Sequence, residues 1–269
     1  MLEQKEQALL SALASMGRVV VAFSGGVDSS LLLALSVEAL GSDRVVALTA
    51  DSPLLPRHEY ATAEQVASRL KARLVVVPFD ELIIEGVRAN GPMRCYHCKR
   101  ARFEALQAHA ERVLPGAVLI HGENADDIND YRPGSRAARE LGVRAPLAEA
   151  GLTKAEIREL SRRRGLPTWN HPAASCLATR VPTGTALEPE ALGRIERAEA
   201  ALQTLLGEQH LRVRDHFPLA RIELPAERIV AAASEPLRQE VVTALQALGY
   251  RYISLDLEGY RMGSMNADV

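Results

Sequence analysis

Apolar and polar positions along the chain fall into two rhythms. Up to about residue 165, short apolar runs alternate with stretches of helical period. Strands are predicted at 19–23, 45–49, 74–79 and 118–121, and helices at 3–14, 28–40, 59–70 and 99–111. Such alternation implies a doubly wound, Rossmann-like α/β fold, a parallel sheet with helices on both faces. A further helix is predicted over 153–164, where Thr153 caps, Glu156 completes a capping box and Gly165 stops it. A loop rich in Pro, Thr and Ala follows over 166–185, and a loop of that length in a compact protein is functional or disordered. Its cysteine and arginine point to function. The second rhythm has a helix over 188–206, alternating strands at 211–215 and 220–224, one or two helices over 226–248 and a last strand at 252–257. It reads as a smaller α+β domain, giving domains 1–183 and 184–269.

Composition narrows the function classes. A chain of 269 residues with 47% apolar residues suits two modest domains with real cores. The net charge of −2 gives no basic footprint, so a dedicated nucleic-acid binder is not expected. No signal peptide and no apolar run of membrane-spanning length is visible, which predicts a cytoplasmic protein without a membrane partner. Three cysteines in that setting argue against a disulfide framework.

The first strand runs directly into Ser24-Gly25-Gly26-Val27-Asp28-Ser29-Ser30 and then into a helix. A strand turning through two glycines into a helix start aims backbone N–H groups and the positive end of the helix dipole at one point. That point favours pyrophosphate. Ser24, Ser29 and Ser30 add hydroxyls, and Asp28 can hold a Mg²⁺ shared with the phosphates. The motif is neither a Walker A loop nor a dinucleotide fingerprint. In an open parallel sheet the ligand lies beyond the carboxyl ends of the strands. The expected ATP site is therefore Ala22, Phe23, Ser24, Gly25, Gly26, Asp28, Ser29 and Ser30, with Thr49 and Gly122 at neighbouring strand ends. Asp126 and Asp127 read as Mg²⁺ ligands or caps, with the site role preferred. An ATP contact from Arg57 or His58 has little support, and His121 reads as a strand-end histidine.

Cys95-Tyr96-His97-Cys98 brings two thiols within reach of one ion or cluster, and Cys176 is the third. The set could hold three irons of a 4Fe–4S cluster and leave the fourth open. It could equally bind zinc with His97 or His171 as fourth ligand, or act as a redox dithiol beside a nucleophilic Cys176. Three unrelated buried thiols are the bland alternative. Arg94, Lys99, Arg100 and Arg180 lie near the cysteines in sequence and weigh against it. Trp169 is expected to pack the loop onto the core.

The pyrophosphate loop, Cys95-Tyr96-His97-Cys98-Lys99, Gly122-Glu123-Asn124-Ala125-Asp126-Asp127, Ser175-Cys176-Leu177-Ala178-Thr179-Arg180 and Gly259-Tyr260-Arg261-Met262-Gly263-Ser264-Met265-Asn266 occur in this order. The first motif resembles the N-type ATP pyrophosphatases, the PP-loop superfamily. The full set resembles the LarE family, ATP-dependent sulfur transferases of nickel-pincer nucleotide biosynthesis. The resemblance implies a carboxylated pyridinium mononucleotide substrate, adenylation with release of pyrophosphate, and sulfur transfer to give a thiocarboxylate. It implies catalysis by Cys176, Asp28, Lys99 and Arg180, with Arg212 and Arg214 on a C-terminal strand holding the substrate phosphate. Alternation puts those two arginines on one strand face, and a solvated face is the competing reading. Glu223 could meet a metal or an arginine, and a surface role is the preferred reading. In the single-cysteine branch the thiol matching Cys176 gives up its own sulfur. This chain also has Cys95 and Cys98, so it resembles the three-cysteine branch, in which Cys95, Cys98 and Cys176 hold a 4Fe–4S cluster charged by a sulfide donor. Zinc is the alternative metal. The family also implies a homo-oligomer, a trimer-based hexamer. The rival readings are a tRNA 2-thiolation enzyme, an ammonia-using synthetase and a non-catalytic ATP sensor.

Overall fold

A computed structural model describes residues 1–128, 133–172 and 175–261, apart from the side chains of Ile128 and Pro133. Residues 262–266 of the C-terminal motif, and 173–174 ahead of Cys176, lie outside the described residues. The chain divides into two compact units, Met1–Ile84 with Met93–Ala174 and Glu85–Pro92 with Ser175–Val269. Cys176 thus falls in the second unit.

The first unit runs α1 (Leu2–Met16), β1 (Val19–Ala22), α2 (Val27–Leu40), β2 (Val45–Asp51), α3 (Arg57–Arg69) and β3 (Arg73–Pro78). The chain then lends α4 (Glu85–Arg88) to the second unit. It returns with α5 (Arg94–Val113), β4 (Val118–His121), α6 (Ala125–Ile128), α7 (Pro133–Glu140), α8 (Pro146–Glu149) and α9 (Lys154–Arg163). The four strands form a parallel sheet in the order β3-β2-β1-β4. Successive residues of β1 serve opposite cores, as strand alternation requires. Val19 and Val21 pack with Leu9 and Leu13 of α1, Leu31 and Leu35 of α2 and Ile157 of α9. Val20 packs with Phe103 and Leu106 of α5 and Ala138 of α7. Burial on both faces is why these strands read as unbroken apolar runs. The chain moves outward from β1 to β3 and then crosses to β4, so the order reverses between β1 and β4, where such sheets bind ligands.

Helix α9 has its predicted cap. Thr153 Oγ1 accepts from the Glu156 amide at 3.3 Å, and Glu156 Oε2 accepts from the Thr153 amide at 2.9 Å. Helix α5 departs from the sequence reading, because it begins at Arg94 and not at 99. Met93 gives no side-chain cap and the first turn has no acidic residue. None of the usual start signals was there to read.

The second unit holds α4, a 3₁₀ turn at Leu177–Arg180, α10 (Pro189–Leu206), β5 (Arg212–His216), β6 (Leu219–Glu223), α11 (Ala226–Ala232), α12 (Leu237–Gln246) and β7 (Tyr252–Leu255). Its sheet has the order β5-β6-β7, with the first pair antiparallel and the second parallel. The parallel pair needs a crossover, which α11 and α12 supply. Ala198, Leu202 and Leu206 of α10 and Leu245 of α12 cover Val213, Ala220 and Ile222.

Candidate active site

In the first unit, Gly25 takes φ +76, and a Cβ there would lie 2.8 Å from the Ala63 amide nitrogen of α3. Only glycine fits both the left-handed turn and that approach. Gly122, just past β4, faces the loop from the other side of the switch. A Cβ on it would lie 2.9 Å from the Ser29 amide nitrogen. The loop is knitted by its hydroxyls: Ser24 Oγ and Ser29 Oγ are 3.1 Å apart, Ser29 Oγ donates to the Gly26 carbonyl at 3.2 Å, and Ser30 Oγ to the Gly25 carbonyl at 3.3 Å. The buried Thr49 hydroxyl donates to the Phe23 carbonyl at 2.9 Å, tying the end of β1 to β2. The serines and Thr49 thus shape the loop as much as they offer donors to a phosphate.

Asp28, in the first turn of α2, pairs through Oδ2 with Lys154 Nζ at 2.5 Å. Its Oδ1 is buried with no hydrogen-bond partner among the described residues. A buried carboxylate oxygen without a donor suits a hard cation, so the residue fits Mg²⁺. Asp126 and Asp127 do other work. Asp126 Oδ2 accepts from the Lys154 amide at 2.8 Å, and Asp127 Oδ2 from the Asn124 amide at 3.1 Å. Both carboxylates thus cap backbone amides, the second of the two roles read from the sequence.

Cys95 and Cys98 are the second and fifth residues of α5, three apart and so on neighbouring positions of one face. Cys95 is exposed and Cys98 partly buried. Arg94 Nη2 lies 3.5 Å from Cys95 Sγ, and Arg102 Nη2 3.6 Å from Cys98 Sγ. A residue that the sequence reading passed over stands behind Cys98. Glu81 is fully buried, and its Oε1 accepts from Ser52 Oγ at 2.7 Å and Arg102 Nη2 at 2.7 Å, with Cys98 Sγ 3.8 Å away. Lys99 runs along α7, its Cδ 2.8 Å from where a Cβ on Gly134 would sit, and its Nζ lies 5.7 Å from the centre of the Phe103 ring. His121 is buried against Phe103 at 5.3 Å, and burial, helped by the Lys99 charge, lowers its pKa to about 3. Its 3.4 Å approach to Glu123 looks like an ion pair by distance, but the buried ring is neutral at pH 7. His121 is therefore a packed strand-end residue, as its position suggested. Trp169 is 39% exposed, so its ring is not a fully buried core residue.

In the second unit, Cys176 begins the 3₁₀ turn, and its carbonyl accepts from Thr179 Oγ1 at 2.8 Å and Arg180 Nη1 at 3.1 Å. Arg180 is 2% exposed and fully engaged. It meets both oxygens of Glu199 at 2.9 Å, and its Nη1 reaches the Ser175 carbonyl at 2.8 Å. Arg214 pairs with Glu223 through Nε at 2.9 Å and Nη2 at 2.6 Å, and reaches the Thr179 carbonyl at 2.8 Å. Glu223, expected at the surface, is fully buried because it neutralises Arg214. Arg212 differs. It is 7% exposed, donates to the Leu211 carbonyl at 2.7 Å and lies over the Tyr260 ring at 5.1 Å, with no carboxylate partner among the described residues. Burial, with Arg180 and Arg214 nearby, lowers its pKa, yet a guanidinium stays charged at neutral pH. The solvated-face reading of the two arginines fails, since both are buried. Among the described residues no three His, Cys, Asp or Glu side chains gather as a metal site.

Known proteins match along both units. The NAD synthase family matches residues 3–113. The Synechocystis sp. protein slr1717 is 40% identical over 99% of this chain and 98% of its own length. The pyridinium-3,5-bisthiocarboxylic acid mononucleotide synthase of Lactiplantibacillus plantarum is 38% identical over 98% of this chain and 95% of its own. The chain belongs to the LarE family. That family comprises PP-loop ATP-dependent sulfur transferases. Argininosuccinate synthase of Natronomonas pharaonis, by contrast, is 34% identical over 56% of this chain and 40% of its own length. Likeness to the LarE relative continues into the second unit, which carries Cys176 and Arg212. No described helix is long and apolar enough to cross a membrane.

Proposed function

We propose that this enzyme uses ATP to adenylate a ring carboxylate of a pyridinium dicarboxylate mononucleotide, releases pyrophosphate, and transfers sulfur to give a thiocarboxylate of the nickel-pincer type. A carboxylate resists substitution because oxide is a poor leaving group. Joined to AMP as a mixed anhydride it carries a good one. The loop amides and the dipole of α2 receive the charge that grows on departing pyrophosphate, and Asp28 would hold a Mg²⁺ that supplies further charge shielding there. The observation that carries the reading is Arg212, a buried cation with no ion pair to a carboxylate among the described residues, whereas its neighbours Arg180 and Arg214 each have one. Such a charge calls for an anion, and the phosphate of a mononucleotide is the anion that the substrate brings. Arg180 acts through position: it fastens the turn that presents Cys176. Lys99 is a second cation for the substrate's negative groups.

Cys95, Cys98 and Cys176 are the proposed ligands of three irons of a 4Fe–4S cluster. None of the three cysteines forms a disulfide, and guanidinium N–H groups beside two of them suit thiolate ligands. When bound, the cluster supplies an open iron that carries sulfide from a donor. Cysteines without a disulfide also fit a reducing, cytoplasmic compartment. We infer a homo-oligomer, supported by exposed Tyr252 on the edge strand β7 and exposed Leu257 after it.

The test is anaerobic purification with iron and zinc analysis, then assay with ATP and the carboxylated pyridinium mononucleotide. Substrate-dependent pyrophosphate release, absorbance near 400 nm and about four irons per chain are expected. A colourless zinc protein would remove the cluster, and a protein that binds ATP without releasing pyrophosphate would remove the activity.

A further inference from the structure

Lys154 was not among the residues that the sequence motifs pointed to. It is the first residue of α9, where a cation opposes the helix dipole. A residue that breaks a local rule without local gain marks a functional demand. The demand is visible in the structure. The Lys154 ammonium lies 2.5 Å from Asp28 Oδ2 in the pyrophosphate loop, while Asp28 Oδ1 stays buried with no partner among the described residues. The backbone of Lys154 is held in place: its amide donates to Asp126 Oδ2 at 2.8 Å, and the Thr153–Glu156 capping box fixes the start of the helix. Only the side chain is left to move. It is 32% exposed, and its four-carbon stem allows the ammonium to swing.

We propose that Lys154 is an exchangeable counter-ion for the pyrophosphate loop. Without nucleotide it neutralises Asp28 and keeps a bare cation site from forming. When a magnesium-bound pyrophosphate group enters, the metal takes the Asp28 carboxylate and the freed ammonium moves onto phosphate oxygens. The lysine thus repels a lone divalent cation and attracts one that arrives with its anion. No bond is made or broken in the exchange. It ties metal binding to nucleotide binding, so that the loop is charged only when its substrate is present. The inference rests on reading residues 24–30 as the pyrophosphate site.

The test is calorimetry on the full chain with two probes: Mn²⁺ alone, and inorganic pyrophosphate with Mg²⁺. For Lys154→Met, Mn²⁺ alone is expected to bind about threefold or more tighter, since a competing cation has gone. Magnesium pyrophosphate is expected to bind roughly tenfold or more weaker, since a charge-assisted contact has gone. Lys154→Gln, polar but neutral, repeats the pattern if the Met variant folds poorly. Opposite signs support the exchange. Shifts of the same sign, or no shift with either probe, overturn it. Failure of the unsubstituted protein to bind magnesium pyrophosphate overturns the reading of the loop itself, a different outcome from binding that the substitution leaves unchanged.

Discussion

Gly122 and Ser29 meet across the switch point of the parallel sheet, with space for a hydrogen and not for a methyl: a Cβ on Gly122 would lie 2.9 Å from the Ser29 amide nitrogen. The obstacle is backbone, so a side chain cannot step aside. Gly122→Ala is expected to push the start of α2 out of place, cost about 1–3 kcal/mol of stability and weaken ATP binding roughly tenfold or more. Calorimetry with ATP and urea unfolding check the two effects, and normal ATP affinity in a folded variant would contradict the account.

Arg212 and Arg180 make opposite predictions although both are buried arginines. Arg212 has no carboxylate ion pair among the described residues, so Arg212→Met is expected to hold or raise stability while substrate KM climbs about a hundredfold. Arg180→Met leaves Glu199 buried and loosens the turn at Cys176, at a cost of roughly 3–5 kcal/mol. Denaturant midpoints of the two variants separate these outcomes, and equal destabilisation would show that Arg212 is a structural cation.

His121 predicts an acid-side loss of stability. Burial holds its folded pKa near 3, below the ordinary value of 6.5. Between those values the unfolded chain binds the proton and the folded chain does not. Stability therefore falls as pH drops below about 6.5, by up to about 1.4 kcal/mol per pH unit from this residue. Urea unfolding at pH 7, 6 and 5 should show the slope, and His121→Gln should flatten it.

The cysteine pair predicts a metal result apart from turnover. Cys95→Ala and Cys98→Ala should each remove most of the absorbance near 400 nm and leave less than about one iron per chain. Iron retained in both variants would show that the pair are not ligands.

Much of the fold was legible because the core strands are apolar on both faces and because Thr153 and Glu156 announce a helix. The start of α5 was not, since Met93 and Arg94 carry no cap signal. The pyrophosphate loop was legible because its chemistry lies in consecutive residues. Lys154, Glu81 and the burial of Glu223 were not, because each gets its meaning from a partner far along the chain: Asp28, Cys98 with Arg102, and Arg214.

Local order along the chain was enough to settle the α/β class, the glycine turn between the first strand and the helix after it, and the identity of the three thiols, since backbone preferences and side-chain chemistry act over a few residues. Charge pairing was settled only in three dimensions. Arg180, Arg212 and Arg214 look alike in the sequence, and folding pairs two of them with carboxylates while the third has no such ion pair among the described residues. The reason is electrostatic: a buried charge must find its counter-charge in space, and separation along the chain does not limit which residue supplies it.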